Sequence, residues 1–348
     1  MRGTGTSMHK ILVVAPSWVG DAMLMQPMLA RLKRRYADCR IDVLAPPWTA
    51  GLLHGLPEVN QIITNPFPHG TLQLGQRYRL GRQLRATRYD QAIVLPNSLK
   101  SALVPFFARI PLRTGFVGES RYGLINDARR LDKSALPLMV ERFAYLAEAR
   151  DTAIPRPLSA PRLAISGTQR DASLRKLKLG LHQPVAVFCP GAEYGPAKRW
   201  PESYYAQLAT RFQQQGYAVW LIGSGKDQAV AEQIKQLNGG ACVNLCGQTD
   251  LADAIALLSC ATVVVSNDSG LMHLAAAQDK PMLALFGSSS PQFTPPLSTQ
   301  ARVVKIEIAC SPCFQRVCPL GHFNCMMQLT PELVWQNFEQ LDISSEQQ

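Results

Sequence analysis

No stretch of this 348-residue chain approaches the roughly 18 consecutive apolar residues of a membrane-spanning helix. A signal-peptide core is also missing, because the apolar run after Lys10 extends only from Ile11 to Ala15 before Pro16 interrupts it. The protein is therefore expected in the cytoplasm, with Met1 to Ser7 as a loose tail. Low-complexity segments and a strong internal repeat are absent. So is the dinucleotide fingerprint G-x-G-x-x-G between Ala15 and Met25, which counts against a dehydrogenase. What remains, at 47% apolar residues and a mean hydropathy of −0.03, is the composition of a soluble globular protein long enough for two domains.

The formal net charge is +11, and its distribution is uneven. Residues 1–160 hold 22 Lys and Arg against 11 Asp and Glu, whereas residues 161–348 hold 14 of each. A basic first half and a balanced second half suggest that the first half meets something large and anionic, either nucleic acid or a phosphorylated membrane surface. A solvated basic face with no partner is the plainer alternative.

Strand-like and helix-like patterns alternate along the chain, which predicts parallel sheets. Strands are expected at 11–15, 41–44 and 91–95, with helices over 21–36 and 98–108. Residues 151–184, broken by Pro155, Pro157, Pro161 and Pro184, read as a connection between domains. A second series then runs through strands at 185–189, 218–222, 262–265 and 281–286, with helices over 201–215, 226–237 and 250–259. The predicted architecture is α/β, with two doubly wound domains facing a cleft.

Polar residues are concentrated where apolar runs end. Thr262 to Val265 stops at Ser266-Asn267-Asp268-Ser269-Gly270, and a helical pattern begins at once. That is a buried parallel strand with Asp268 or Ser269 placed to cap the next helix, whose first free N–H groups suit a diphosphate. Ligands of open α/β sheets bind beyond such strand ends. Pro190 to Pro201 is the counterpart after the strand at 185–189. It holds Lys198 and Arg199, the only adjacent cations between residues 179 and 348, and cations there suit phosphate oxygens. Gly223-Ser224-Gly225 is a weaker candidate for the same pocket. In the first half, Pro16-Ser17-Trp18-Val19-Gly20-Asp21 ends the first strand. Gly20 permits close backbone approach, and Asp21 at a helix start is held ionised by the dipole and able to take a proton from an alcohol. A simple helix cap is the alternative for Asp21, as a solvated surface pair is for Lys198 and Arg199.

Together these segments make the chain resemble the heptosyltransferases of glycosyltransferase family 9 over nearly its whole length. Leu95-Pro96-Asn97-Ser98-Leu99-Lys100-Ser101-Ala102-Leu103-Val104-Pro105-Phe106-Phe107 adds a likeness to the heptosyltransferase II branch. That likeness continues through Arg113-Thr114-Gly115-Phe116 and Arg121-Tyr122-Gly123-Leu124-Ile125-Asn126-Asp127. The resemblance implies a GT-B architecture of two Rossmann-like domains, residues 1–165 binding acceptor and 166–348 binding ADP-heptose, with the active site between them. It implies transfer of L-glycero-D-manno-heptose from ADP-heptose to the first heptose of the lipopolysaccharide inner core, with inversion. The setting would be the cytoplasmic face of the inner membrane, with peripheral contact to that surface.

By the same resemblance, Asp21 matches the catalytic base and Lys198 the contact to the donor phosphates. Asp268, Ser269, Gly270 and His273 match the donor-binding motif. Glu193 and Tyr194 fall on the donor loop where other members carry hydroxyl side chains. Ser17, Trp18, Asn97, Lys100 and Arg121 are the corresponding acceptor-side positions. No cofactor is required if protein cations and N–H groups carry the leaving diphosphate. Kdo carboxylates and lipid A phosphates in the acceptor would account for the basic first half, with Arg77, Arg79, Arg82, Arg85 and Arg88 as a candidate surface. Heptosyltransferase I, or another GT-B enzyme using an ADP-sugar, is the nearest alternative. A non-catalytic nucleic-acid-binding protein is the alternative of a different class, suggested by the pI of 9.4. A basic stripe with interleaved aromatics is lacking, so no nucleic-acid partner is expected.

Of nine cysteines, four fall within Cys310-x2-Cys313-x4-Cys318-x6-Cys325, with His322 nearby. The spacing suits a structural zinc or iron–sulfur cluster, although the second C-x2-C pair of a zinc ribbon is missing. Free thiols and a disulfide are the other two readings.

Overall fold

Runs of branched apolar residues, buried on both faces, form the centres of two separate parallel sheets. The computed structural model describes residues 8–68 and 70–343, so the tail expected over residues 1–7 lies outside the described residues. The chain divides into two units, Met1–Ser159 and Ala160–Gln348.

The first sheet contains β1 (Lys10–Val14), β2 (Arg40–Ala45), β3 (Gln61–Thr64), β4 (Gln91–Val94), β5 (Leu112–Phe116) and β6 (Asp127–Arg129), in the order β3-β2-β1-β4-β5-β6. The second contains β7 (Val185–Cys189), β8 (Ala218–Leu221), β9 (Val243–Asn244), β10 (Val263–Asn267), β11 (Met282–Phe286) and β12 (Ala301–Lys305), in the order β12-β11-β10-β7-β8-β9. Numbered within its own unit, each sheet reads 3-2-1-4-5-6, the doubly wound order that binds ligands where the strand order reverses. That reversal lies between β1 and β4 in one unit and between β7 and β10 in the other. Register confirms the pairs, with Val13 opposite Ile93 and Val265 opposite Phe188.

The second core packs Phe188, Trp200, Tyr205 and Phe212 against Trp335 of the last helix, Pro331–Phe338. In the first sheet Asp42 is wholly buried in mid-strand. It is satisfied by Tyr89 Oη at 2.7 Å, Asn60 Nδ2 at 2.9 Å and the Arg40 guanidinium, which pushes the Tyr89 phenol well above its ordinary value through burial and the neighbouring carboxylate. Among the described residues no helix is long and apolar enough to cross a membrane.

Several elements differ from their expected form. The helix expected over 21–36 is two, Val19–Leu24 and Gln26–Arg35, because Pro27 cannot donate back into the preceding turn. The helix expected over 98–108 begins as a 3-10 turn at Leu99–Ala102 and becomes helical only at Leu103–Phe107. Within 151–184, read as connection, stands helix Gly167–Leu177. Ser166 and Gln169 cap it reciprocally, with Ser166 Oγ accepting from Gln169 N at 3.2 Å.

Candidate functional site

The motifs that follow β1, β4, β7 and β10 lie at the carboxyl ends of the strands flanking the two reversals, whereas Gly223-Ser224-Gly225 follows β8, one strand further out. In the second unit the loop after β7 and the loop after β10 are joined by Asn267. Its Nδ2 donates to Pro190 O at 2.7 Å, while its Oδ1 accepts from Tyr205 Oη at 3.0 Å and Trp200 N at 3.3 Å. Asn267 is fully buried, so all its hydrogen-bonding capacity fixes one loop against the other. Gly191 is needed for the same packing: a Cβ there would sit 2.5 Å from the Asp227 carboxylate, which caps Ser224 N at 2.9 Å. This places Gly223-Ser224-Gly225 beside the loop after β7.

On this frame Lys198 Nζ donates to Asp268 Oδ2 at 2.5 Å, with the lysine side chain 18% and the aspartate 5% exposed. The next helix, Gly270–Ala277, starts immediately afterwards with Ser269 as N-cap. The Ser269 hydroxyl makes no capping bond and instead lies 3.3 Å from Ser266 Oγ. The first N–H groups of the helix are therefore left without side-chain caps, next to a buried ion pair.

His273, one turn on, is buried and its Nδ1 has no partner. Burial lowers its pKa to about 4; Asp268 opposes the shift and Lys198 adds to it, so the ring is neutral near pH 7. Ser288 and Ser289, beyond the end of β11, carry buried hydroxyls without partners as well. Buried polar groups are seldom left unmade, and these three follow the adjacent strands β10 and β11.

The two residues expected on the donor side, Glu193 and Tyr194, divide. Glu193 forms an exposed ion pair with Lys226. Tyr194 donates from Oη to Phe314 O at 2.8 Å, and its ring has Lys198 Nζ 5.2 Å and the Arg316 guanidinium 5.1 Å from its centre. Arg316 is further tied to the loop by its carbonyl, which accepts Ala197 N at 3.1 Å. Nothing in the sequence singled out Arg316, Asn267, Ser288 or Ser289. The only signal was Gly287-Ser288-Ser289-Ser290 following an apolar run, the same grammar as the loop after β10.

In the first unit the loop after β1 leaves Ser17 and Trp18 exposed, and Trp48 Nε1 donates to Ser17 O at 2.9 Å. Helix Val19–Leu24 begins with Trp18 as N-cap, so Asp21 sits inside the first turn rather than at the cap. Asn97 lies on the loop after β4, the neighbouring strand, and Lys100 in the 3-10 turn that follows it. Arg121, expected on the acceptor side, is buried. Its guanidinium donates to Pro96 O at 2.6 Å, Phe116 O at 2.6 Å and Asn97 Oδ1 at 2.9 Å. Burial lowers its pKa, and its place is to shape the loop that presents Asn97.

The arginine run also separates. Arg77 is buried, donating to Leu72 O and Lys100 O under the Phe67 ring, whereas Arg79, Arg82 and Arg88 are exposed.

Cys310, Cys313, Cys318 and Cys325 line one cavity with His322, and all nine cysteines are free. Among the described residues no group of three or more His, Cys, Asp or Glu is placed to hold a metal ion. The ligand set allowed by the spacing is therefore not assembled, and neither is a disulfide. The thiols have other surroundings. Backbone N–H groups of Phe323, Leu320, Gly321 and His322 hold the Cys318 thiol below its ordinary value, while burial and the other three cysteines push Cys325 up.

Comparison with known proteins finds relatives over nearly the whole chain. The family model described as glycosyltransferase family 9 (heptosyltransferase) matches residues 77–324. Lipopolysaccharide heptosyltransferase 2 of Salmonella typhimurium is 48% identical over 95% of this chain and 98% of its own length. The Escherichia coli K12 protein of the same name is 47% identical over 97% and 99%. Among solved structures, E. coli ADP-heptose LPS heptosyltransferase II superimposes with a TM-score of 0.85 at 44% identity, covering 95% of this chain and 97% of the other.

Proposed function

The chain belongs to glycosyltransferase family 9, the heptosyltransferases, and from that membership we propose that it moves L-glycero-D-manno-heptose from ADP-heptose onto the first heptose of the lipopolysaccharide inner core. The acceptor is the anionic heptosylated Kdo-lipid A, met at the cytoplasmic face of the inner membrane. In this reading residues 1–165 bind acceptor and 166–348 bind donor. The relatives, matched over nearly their full length, are second-heptose enzymes, which favours this activity over heptosyltransferase I, another ADP-sugar enzyme or a nucleic-acid-binding protein.

The reaction is a single in-line displacement. The acceptor hydroxyl oxygen forms a bond to the anomeric carbon as the bond from that carbon to the diphosphate oxygen breaks. The hydroxyl proton goes to Asp21, whose carboxylate lies in the first turn of its helix and is favoured as an anion there. ADP leaves with its new charge met by Lys198 and the N–H groups opening helix Gly270–Ala277. Asp268 holds the lysine in place. Ser269, Gly270 and the neutral His273 border the same point, so His273 meets the donor through hydrogen bonding rather than charge. Glu193 and Tyr194 act on the donor side through Lys226 and Lys198 respectively. Ser17, Trp18, Asn97 and Lys100 face acceptor, with Arg121 behind them. No residue in this scheme calls for a metal.

The observation that carries the reading is the Lys198–Asp268 pair at the strand reversal of the second sheet, beside uncapped helix N–H groups. The test is incubation with ADP-heptose and either one-heptose or heptose-deficient acceptor, followed by mass spectrometry. Addition of one heptose to the first acceptor alone is expected; addition only to the second would assign the first-heptose reaction.

A further inference from the structure

One face of the first unit carries cations that the protein itself does not neutralise. Helix Leu74–Leu84 lies so close to helix Leu103–Phe107 that a Cβ on Gly81 would come within 2.5 Å of Phe107 Cβ. The approach joins their outer side chains into one surface. Tyr78 meets Phe107 edge-on at 5.3 Å and Phe107 meets Phe106 at 5.7 Å. The Arg82 guanidinium lies 5.9 Å from the Tyr78 ring and that of Arg113 lies 5.6 Å from Phe106. Arg85, Arg109 and Arg113 line an open cavity of about 470 Å³ together with Phe106, Phe107 and Ile110.

Elsewhere in this unit arginines pair with carboxylates: Arg31 with Glu148, Arg40 with Asp42, Arg129 with Asp127 and Arg156 with Glu141. Among the described residues Arg79, Arg82, Arg85, Arg88, Arg109 and Arg113 form no ion pair. The only acidic side chain from residue 74 to 118 is Asp90, which accepts from Lys10 N at 2.8 Å. Crowded, unpaired like charges repel one another unless an anionic partner lies over them.

The apolar part of the surface narrows the partner. Tyr78 and Phe106 are each 42% exposed, Leu112 is 41% and Leu74 is 50%. Arginine beside exposed aromatic rings suits the headgroup layer of a bilayer, where amphipathic rings settle and basic side chains meet anionic lipid. Exposed leucines offer no stacking surface to a nucleobase, which favours lipid over nucleic acid.

We propose that this face binds an anionic phospholipid bilayer, with Arg82, Arg85 and Arg109 at the lipid phosphates and Tyr78, Phe106 and Leu112 in the interfacial layer; Arg113, whose guanidinium donates to the carbonyls of Ile110, Gly123 and Leu124, holds the turn beneath them. The proposal rests on the transferase reading for its membrane setting, and it replaces the buried Arg77 with residues contributed by the second helix and the turn after it.

Sedimentation of the full chain with phosphatidylcholine vesicles, with and without about a quarter phosphatidylglycerol, tests it in the absence of both substrates. Binding is expected only with phosphatidylglycerol and is reversed by salt of about 0.5 M. The double variant Arg82→Gln/Arg109→Gln lowers partitioning by about 25-fold, roughly 5-fold per arginine. Phe106→Ser lowers it at low salt without changing the steepness of its salt dependence. ADP affinity, measured by titration calorimetry, is the same in all variants.

Equal vesicle binding by wild type and variants overturns the proposal, as does absence of wild-type binding. Tighter binding of a single-stranded oligonucleotide, lost in the same variants, would assign the face to nucleic acid instead. A wild-type chain that binds these vesicles but not ADP would count against the transferase reading and leave the surface standing.

Discussion

Replacing Lys198 with methionine separates the ion pair it forms with Asp268 from the phosphate contact proposed for it. Its Nζ is 2.5 Å from Asp268 Oδ2, and the aspartate side chain is 5% exposed, so Lys198→Met leaves a carboxylate buried without its counter-charge. Breaking a buried pair from one side typically costs about 3–5 kcal/mol. Here the lysine is 18% exposed and water can reach part of the vacated space, so a cost of about 2–4 kcal/mol is expected. For a unit of this size that corresponds to a fall in Tm of about 5–15 °C. Adding Asp268→Asn removes the stranded charge and should recover most of the loss. A double-mutant cycle would then give a coupling energy of about 1–3 kcal/mol. Donor binding should behave differently, with both the single and the double variant weakened in ADP affinity, because stability returns without the phosphate contact. Thermal denaturation with and without ADP reads both quantities on one sample. A Lys198→Met chain as stable as wild type would refute the argument that the pair is energetically coupled. Recovery of ADP affinity in the double variant would remove Lys198 from the phosphate site.

Asp21→Asn should lower kcat by about 10² to 10⁴ while leaving ADP affinity unchanged; near-normal turnover would exclude Asp21 as the base. Since the folded pKa of His273 is about 4, below the ordinary 6.5, the unfolded chain binds more protons between these values. Its contribution to stability is therefore present above pH 6.5 and falls away toward pH 4, by about 3 kcal/mol in all. Urea denaturation at pH 7 and pH 5 should show a smaller difference for His273→Gln than for wild type, and equal differences would contradict the assignment. Mild alkylation near pH 8, followed by peptide mass spectrometry, should label Cys318 before Cys242 or Cys246. Backbone N–H groups lower the Cys318 thiol pKa, whereas burial raises the other two to about 12; uniform labelling would contradict this.

What could be read from the sequence follows burial. β1, β4, β7, β10 and β11 are buried along nearly their whole length, so their apolar runs stand out, and the polar residues ending β1, β4, β7 and β10 mark the strand reversals. Edge strands carry no such signal. β3 (QIIT), β9 (VN) and β12 (ARVVK) are partly solvated, β6 (DAR) is buried but short and polar, and none stands out in the sequence. β5 was missed for a different reason: LRTGF mixes an arginine and a glycine into a strand whose last three residues are buried.

Side-chain roles were legible only where they depend on the local chain. Arg77 and Arg121 look like surface residues in sequence and are buried, because carbonyls of irregular loops absorb their donors. Asn267 shows the same limit at the site itself. In sequence it is one polar residue among Ser266, Asp268 and Ser269, with nothing to set it apart. Its function comes from Trp200 and Tyr205, more than sixty residues earlier, whose donors its Oδ1 accepts while its Nδ2 holds Pro190 O. The lysine that meets Asp268 is carried on that tethered loop. The motif after β10 therefore fixes the position of the motif after β7, and two segments that stand apart in sequence are held as one structural unit.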